Sequence, residues 1–261
     1  VVTGRYGTIG QVFYIEKDFW PLNTTLFVKN FKGNTPKFIS YFLKTINFEA
    51  HNDKSSVPGV NRNDLHNLVV KIPPLPEQKS IAHILGTLDA KIELNRQMNQ
   101  TLEAIAQAIF KEWFVNFNFP GFDGELVDGL PKGWIMGKLG EECNIKYGKD
   151  HKHLADGDIP VYGSGGLMRY ANKALYENES ILIPRKGTLT NLFYLSVPFW
   201  SVDTMFYSII KREEIRKYLF YLLKSLNLAS MNVGSAVPSL TTEILNKIEI
   251  IIPSEITLKL F

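Results

Sequence analysis

An internal repeat constrains this chain more than any other feature. When the sequence is shifted by 180 positions, its two ends align without a gap over about 80 residues, and roughly a quarter of the positions are identical. The matched positions include Arg5 with Arg185, Gly7-Thr8 with Gly187-Thr188, Phe19-Trp20 with Phe199-Trp200, Thr24 with Thr204 and Val57-Pro58 with Val237-Pro238. A single register held over such a length predicts two units with the same fold.

The two units are unequal. The segment from about Leu130 to Ser180 has no earlier copy in the chain and forms the first part of the second unit. The first copy therefore looks truncated at its front by about 50 residues, and the chain opens in mid-pattern without a Met, which indicates a fragment boundary. We predict an α+β fold with a partial first unit over 1–76, a long helix over 77–117, a linker over 118–130 and a second unit, complete or nearly so, over 131–261.

The segment from Glu77 to about Phe117 is typical of one long helix. Three prolines stand just before it, and no further proline occurs until Pro120. Its heptad seam, expected to pack against a partner helix, consists of Ile81, Leu85, Leu88, Ile92, Asn95, Asn99, Leu102, Ala106 and Ile109. About 40 residues give a rod of ~60 Å, which a small domain cannot bury. We therefore expect a coiled-coil spacer; a helix lying along the core of its own domain is the alternative.

Charge is distributed unevenly along the chain. The net charge is +3 overall, with +4 in residues 1–76, −4 in 77–130, zero in 131–180 and +3 in 181–261. A nucleic-acid partner would favour the two ends and avoid the middle, whereas a scatter of solvated surface charge is the bland alternative. No apolar run reaches the ~18 residues of a membrane span. The only cysteine, Cys143, excludes an internal disulfide and suits a reducing cytoplasm, so we predict a cytoplasmic protein without membrane contact.

Several patterns that resemble chemical sites are better explained by structure. Gly163 to Gly166 lacks the spacing of a nucleotide-binding loop and predicts a turn. His151 and His153 have no further ligands at suitable spacing, so we expect no metal. The pairs Phe19-Trp20 and Phe199-Trp200 recur in strand-rich context, and we interpret both as core residues and not as base-stacking groups. No spacing suggests a nuclease or methyltransferase centre.

Four stretches carry a resemblance to a known family. They are I-P-V-Y-G-S-G-G from Ile159, I-P-R-K-G-T from Ile183, P-P-L-P-E-Q from Pro73 and F-K-E-W-F-V-N-F from Phe110. With these motifs in this order around the repeat, the chain resembles the specificity (S) subunit of type I restriction–modification systems. The fold expected is then β-rich target recognition domains joined by a long coiled-coil spacer helix.

The resemblance implies a function without catalysis. Each of two target recognition domains reads one half of a split site on double-stranded DNA, and the spacer helices set the separation of the halves. The helices also dock methyltransferase (modification) subunits, which modify adenine with S-adenosylmethionine, and a motor-nuclease (restriction) subunit joins the complex. The chain itself needs no cofactor. It departs from the family pattern in having one incomplete recognition domain and no second spacer helix, which puts in doubt whether it reads two half-sites alone.

DNA reading requires cations for phosphates and polar side chains for base edges. The loops of the two units that offer such groups give the predicted DNA-binding residues Arg5, Thr8, Gln11, Asn52, Ser55, Arg62, Lys146, Lys149, Lys152, Tyr162, Ser164, Arg169, Arg185, Lys186, Asn191, Asn232 and Ser235. Arg169 and Arg185 suit guanine, Asn191 or Asn232 suits adenine, and Lys149, Lys152 and Lys186 suit phosphates. Because the repeat pairs Arg5 with Arg185, those two are expected to have a role common to both units, in phosphate contact or structure.

Two other functions compete with this one. The first is that the chain is the recognition region of a single-chain restriction–methylation enzyme, in which case a cofactor loop and a methylation motif would precede it. Alternatively, it is an assembly protein that forms a homodimer through the spacer helix and binds methyltransferase without useful DNA affinity.

Overall fold

The computed structural model describes residues 1–51, 59–233 and 237–261, so the predicted contacts Asn52, Ser55 and Ser235 lie outside the described residues. The chain divides into two compact units, Val1–Leu102 and Glu103–Phe261. Both units combine helices with antiparallel strands, which confirms the predicted α+β class. Among the described residues, no helix has both the length and the hydropathy that crossing a membrane requires.

Unit 1 is a small sheet backed by helices. Its three strands are ordered β2-β1-β3, with both pairings antiparallel. In chain order the elements are β1 (Val2–Gly4), β2 (Val12–Phe13), β3 (Thr25–Phe27), α1 (Pro36–Lys44), a 3-10 turn (Glu49–His51), α2 (Arg62–His66) and the long helix α3 (Leu75–Phe114), whose last turns belong to unit 2.

Unit 2 repeats this arrangement and adds a front segment. Its elements are β4 (Leu126–Val127), β5 (Leu130–Pro131), β6 (Ile135–Lys138), α4 (Leu139–Glu142), β7 (Cys143–Tyr147), β8 (Ile159–Gly163), β9 (Gly166–Ala171), β10 (Ser180–Pro184), β11 (Phe193–Leu195), β12 (Trp200–Ser201), β13 (Met205–Ile210), α5 (Arg216–Ser225), a 3-10 turn (Leu228–Met231), α6 (Thr242–Asn246), β14 (Glu249–Ile252) and α7 (Glu255–Leu260). The main sheet runs β11-β10-β13-β7, a second sheet β12-β8-β9, and β14 pairs with β6.

The sequence repeat is a structural repeat with the same strand register. Val2 pairs with Phe13 and Phe27 in unit 1, and Leu182, 180 positions later, pairs with Phe193 and Tyr207. The loop contacts repeat as well: the N–H of Val60 donates to the carbonyl of Arg5 at 3.0 Å, and that of Leu240 donates to Arg185 at 2.9 Å. Even α7 begins 180 residues after α3 begins. Equivalent residues of the two copies therefore make equivalent backbone contacts.

The long helix begins two residues earlier and ends three residues earlier than the predicted 77–117. Pro76 lies inside the first turn, where the missing N–H of proline costs nothing. The Gln78 side chain is buried there: it accepts from the N–H of Thr35 at 3.0 Å and donates to Asn34 Oδ1 at 2.7 Å and to the carbonyl of Pro73 at 2.9 Å. These bonds fix the start of α3 to the start of α1 in unit 1.

At its other end the helix stops for local reasons. Glu112 accepts hydrogen bonds from the side-chain amides of Asn116 and Asn118, at 2.8 and 2.9 Å. Phe117 adopts a left-handed backbone (φ 59°), which a continuing helix does not allow. These contacts draw the chain back over the last turn, so residues 115–117 leave the helix.

An aromatic cluster joins this end of α3 to the core of unit 2. Phe114 is the centre, with ring centroids 4.8 Å from Tyr218, 5.0 Å from Phe261, 5.3 Å from Phe110 and 5.8 Å from Trp134. Aromatic pairs at such distances add to the hydrophobic stabilisation of burial. The F-K-E-W-F-V-N-F motif is thus the segment that anchors the helix in unit 2.

The two Phe-Trp pairs have opposite environments. Phe199 and Trp200 are buried, as predicted, but Phe19 is 39% and Trp20 90% exposed, so the core prediction is wrong for the first pair. Trp200 packs against Leu154, Val161 and Ala171, and its indole N–H donates to the carbonyl of Lys149 at 2.9 Å. All of these partners belong to the segment 131–180, which has no counterpart in unit 1.

Replacement of Phe114 by alanine should destabilise unit 2 by about 3–5 kcal/mol, because it leaves a cavity at the centre of the aromatic cluster. Urea denaturation followed by Trp fluorescence measures the effect. The neighbouring Val115 is more than half exposed, so Val115→Ala should change stability by less than about 0.5 kcal/mol. Equal effects of the two substitutions would contradict the anchoring role of Phe114.

Candidate nucleic-acid interface

The DNA contacts predicted in unit 2 fall in four stretches of sequence, 146–153, 162–169, 185–191 and 232–239. The first three stretches meet at one turn, Ser201 to Thr204. The N–H of Lys149 donates to the carbonyl of Ser201 at 2.8 Å, and the N–H of Val202 donates to the carbonyl of Tyr162 at 2.9 Å. The N–H of Arg185 donates to the carbonyl of Thr204, also at 2.9 Å. This turn was not among the predicted contacts; the identity of Thr24 and Thr204 in the repeat was the signal that marked it.

The fourth loop joins the cluster through the segment after Arg185. The N–H of Gly187 donates to the carbonyl of Pro238 at 3.0 Å, and Lys186 forms an isolated antiparallel bridge with Ser239. The N–H of Ser239 in turn donates to Asn232 Oδ1 at 2.7 Å. Predicted residues that lie almost 90 positions apart in the sequence are thereby brought to one end of unit 2.

The tip of the β8–β9 hairpin is held against this cluster. Gly163 pairs with Gly166, so the glycine-rich stretch is a hairpin turn, as predicted. Asn191 Nδ2 donates to the carbonyl of Ser164 at 2.8 Å, and the N–H of Ser164 approaches Thr204 Oγ1 at 3.4 Å. A Cβ at Gly187 would lie 3.1 Å from Ser164 Oγ, and Gly187 has a φ of +83°. Glycine is therefore required there both by the left-handed backbone and by the close approach.

The described part of unit 1 contains the same loop framework without the hairpin. The N–H of Arg5 donates to the carbonyl of Thr24 at 2.8 Å, matching the contact of Arg185. Thr8 and Gln11 are exposed in the loop that follows, and Arg62 is exposed at the start of α2. Arg5 and Gln11 thus occupy positions equivalent to those of Arg185 and Asn191, two of the residues predicted in unit 2.

Comparison with known proteins assigns the family. The model of the type I restriction modification DNA specificity domain matches residues 1–104 and 131–256, which is most of the chain and includes both units. The chain belongs to this family. Each of the two matched segments contains one copy of the repeat, and the last turns of α3 and the linker lie between the segments.

Curated relatives are similar over much of the chain. It is 26% identical over 200 residues to the type I restriction enzyme MjaIX specificity subunit of Methanocaldococcus jannaschii, covering 64% of this chain and 46% of that protein. It is 24% identical over 252 residues to the MjaVIII specificity subunit of the same organism, covering 83% and 59%. The chain therefore spans about half the length of these relatives.

A solved structure shows the same fold. The crystal structure of the type I restriction–modification system S subunit from M. genitalium aligns with a TM-score of 0.59 at 20% identity, covering 99% of this chain and 72% of that one. This likeness supports the expected α+β fold with one long helix.

In the specificity domain of unit 2, four predicted lysines remain available to a ligand. Lys146, Lys149, Lys152 and Lys186 are exposed, and within the described residues none of them forms an ion pair. Lys149, Lys152 and Lys186 lie on the loops gathered around the 201–204 turn, and Lys146 lies in strand β7, which leads into the first of these loops. Flexible ammonium groups of this kind suit phosphate oxygens.

The two predicted arginines are engaged inside the domain. Arg169 donates to the carbonyls of His151 and Leu154 at 2.9 and 2.8 Å, and it pairs with Asp156 at 3.0 Å. Arg185 donates to the carbonyl of Asp203 at 3.0 Å and lies 5.1 Å from the ring centroid of Tyr147. Both arginines therefore shape the loops, and a direct contact of either with guanine stays a prediction.

The cysteine and the two histidines considered as chemical groups in the sequence make structural contacts. Cys143 is buried, and burial raises the pKa of its thiol to about 12, which suppresses the reactive thiolate. His153 contacts the Trp200 ring and His151 supplies a carbonyl to Arg169. No group of three or more potential metal ligands is assembled in the part of the chain that the structure describes.

Replacement of Arg169 by alanine should destabilise unit 2 by about 1–3 kcal/mol, because two partly buried carbonyls lose their charged donor. Thermal or urea unfolding of the purified chain measures this. Lys152→Ala removes the same charge from an exposed position and should leave stability within about 0.5 kcal/mol of the parent. An unchanged stability for the Arg169 variant would show that the guanidinium does not hold the loop.

Proposed function

We propose that this chain is a DNA sequence-recognition component of a type I restriction–modification enzyme and is not itself a catalyst. The observation that carries the proposal is the convergence of four loops, with their exposed lysines, at one end of a specificity domain. The family match and the specificity-subunit relatives support the same assignment. The double-stranded DNA site lies on these loops.

Within the site we assign phosphate contact and base reading to two different kinds of side chain. The exposed lysines contact phosphates, which supplies affinity without sequence information. Base reading falls to polar groups of the hairpin tip and neighbouring loops, with Ser164, Asn191 and Asn232 as the nearest amides and hydroxyl. Backbone contacts that recur in both units, such as those of Arg5 and Arg185, provide the common frame.

The long helix supplies the protein–protein contacts. Along α3 the predicted seam residues Leu88, Ile92 and Leu102 are exposed, and so are Ile84, Leu94 and Met98, which the seam did not include. An apolar stripe of this width exceeds the narrow seam of a two-helix coiled coil. It supports a helix that packs against a partner helix, including that of a homodimer, and also docks methyltransferase subunits.

The remaining chemistry belongs to partner subunits. S-adenosylmethionine is the cofactor of the methyltransferase, with no cofactor in this chain, and the motor-nuclease subunit joins the same assembly. Such an assembly acts on DNA in the cytoplasm. The alternative of an assembly protein is favoured by one observation, the broad exposed apolar stripe of α3.

Selection of bound duplexes from a random pool, with and without the methyltransferase subunit, tests the proposal directly. We expect enrichment of a sequence motif, at least in the presence of the methyltransferase. Enrichment in neither condition would remove the DNA-reading function and leave the assembly role. Methylation of the host genome at a defined site would identify the motif.

Lys186→Ala should weaken binding to all duplexes to a similar extent and reduce the dependence of log affinity on log salt by about 0.9, the value for one phosphate contact. Fluorescence anisotropy at several salt concentrations measures both effects. Lys173 lies at the opposite end of the β8–β9 hairpin from its tip, so Lys173→Ala is a control with the same charge change and should leave the salt slope unaltered. Equal slopes for both variants would place the DNA elsewhere.

Ile92→Glu should abolish self-association or methyltransferase binding through α3 while leaving the fold intact, because Ile92 is half exposed and its charge would be desolvated in an interface. Sedimentation velocity with and without the methyltransferase subunit measures association. Gln100 is exposed and lies on the face opposite the stripe, so Gln100→Glu adds the same charge as a control and should associate normally. Association of the Ile92 variant at the parental affinity would argue against docking through this stripe.

A further inference from the structure

Two large apolar side chains are exposed next to each other near the tip of the β8–β9 hairpin of unit 2. Leu167 is 48% exposed and Met168 is 56% exposed, whereas the same strand ends in the buried Ala171. Neither residue is among the predicted DNA contacts, which consist of cationic and polar residues. A single exposed apolar residue needs no explanation, but here a feature of the backbone exposes two of them together.

That feature is a β-bulge in the hairpin. Val161 pairs with Arg169, and the next residue of β8, Tyr162, pairs with Leu167. Met168 is therefore an extra residue without a partner on β8. Because side chains alternate between the two faces of a strand, a regular strand would turn Leu167 to the same face as Arg169, whose guanidinium is engaged inside the domain. The bulge interrupts this alternation and leaves Leu167 and Met168 both exposed, as bulges beside functional sites often re-aim side chains.

A glycine on the opposite strand makes room for the methionine. A Cβ at Gly163 would lie 2.7 Å from Met168 Sδ, so the Met168 side chain lies across the backbone of β8 next to the turn. Methionine has a flexible, polarizable side chain that adapts to an irregular apolar surface. The hairpin thus presents an adaptable apolar group close to its tip.

The tip is fixed to a loop that carries one of the exposed lysines. The carbonyl of Ser164 accepts from Asn191 Nδ2 at 2.8 Å, and a Cβ at Gly187 would lie 3.1 Å from Ser164 Oγ. Lys186, which precedes Gly187, is exposed and forms no ion pair within the described residues. Since phosphates border the grooves of DNA, a phosphate bound by Lys186 would bring a groove to the hairpin tip.

The major groove matches both the shape and the polarity of this tip. It admits a two-stranded β-ribbon, whereas the minor groove is only about half as wide. The turn contains Gly165 and Gly166, so the end of the ribbon is narrow. The apolar group that base pairs expose in the major groove is the C5-methyl group of thymine. Apolar side chains at the tip of a ribbon in this groove therefore have one natural contact.

We propose that Leu167 and Met168 recognise thymine by contacting its C5-methyl group in the major groove of the DNA bound by unit 2. Their apolar contact complements the polar base reading assigned to Ser164, Asn191 and Asn232. The inference rests on the proposed function, because it requires that unit 2 bind DNA at its loop cluster. It adds to that function a chemical preference at one position of the site.

Deoxyuridine tests the contact, because it differs from thymidine only in lacking the C5-methyl group and presents the same minor-groove edge. The full chain, together with the methyltransferase subunit where binding requires it, is titrated with the duplex selected from the random pool. In further duplexes each thymine of the selected motif is replaced in turn by uracil. We expect roughly 4-fold weaker binding at one or two positions, the effect of one buried methyl group, and unchanged binding at the others. Fluorescence anisotropy measures these affinities.

The double variant Leu167→Ala, Met168→Ala should bind the thymine and uracil duplexes with equal affinity. Both side chains are about half exposed, so the variant should fold like the parent chain. Val197→Ala is the matched control. Val197 is similarly exposed, and it follows Leu195, which pairs with Ser180 at the end of β10 far from the loop cluster. This control should keep the full preference for thymine.

Several results would overturn the inference while leaving the proposed function intact. One is a selected motif that consists of G·C pairs alone, and another is equal affinity of the parent chain for the thymine duplex and every uracil duplex. A thymine preference that the double variant retains would assign the methyl contact to other residues. If the double variant weakens binding to thymine and uracil duplexes by the same factor, the two side chains contact DNA elsewhere than at the methyl group. Failure to select any motif would instead remove the proposed function, and this inference with it.

Discussion

The backbone pairing between β10 and β13, with its copy between β1 and β3, is the constraint on which the candidate interface depends. It ends in the hydrogen bond from Arg185 to Thr204, repeated as that from Arg5 to Thr24. The 201–204 turn follows from this alignment, and the loops at Lys149 and Tyr162 attach to the turn through main-chain atoms. Because backbone groups make these contacts, loop side chains can differ while the loops keep their places.

Much of this organisation was predictable because the duplication acts through backbone register. An ungapped repeat leaves no room for a changed strand pairing, since a slip of one residue would turn every side chain to the opposite face. The spacer helix was predictable from its proline-free heptads. The two ends of the helix were not predictable. At the start, Pro76 is tolerated within the first turn. At the other end, the side-chain amides of Asn116 and Asn118, which follow the last turn, donate hydrogen bonds to Glu112. Local side-chain hydrogen bonds of this kind determine where a helix ends, and they leave no periodic pattern in the sequence from which the end could be predicted.

Burial was less predictable than register, because it depends on partners far away in the sequence. Trp20 and Trp200 are identical and stand at equivalent positions, yet only Trp200 has Val161, Ala171 and the Lys149 carbonyl around it. Arg169 looked like a base-reading residue from its loop, but the carbonyls of His151 and Leu154 claim its guanidinium. The prediction of the seam on α3 likewise assumed one partner helix, and for that reason it omitted the exposed residues Leu94 and Met98.

The charge distribution along the chain shows why segment totals are a poor guide to a binding surface. Residues 131–180 are neutral in sum, yet they contribute Lys146, Lys149 and Lys152 to the loop cluster. Part of their acidic charge is neutralised internally, since Asp156 pairs with Arg169 at 3.0 Å and Glu142 with Arg212 at 2.8 Å. Conversely, the +4 of residues 1–76 includes Lys29 and Arg62, which line the same groove of unit 1. The attraction of a phosphate backbone depends on cations that are clustered on the surface and have no ion-pair partner within the protein. In unit 2 such cations lie on and beside the loops that meet at the 201–204 turn.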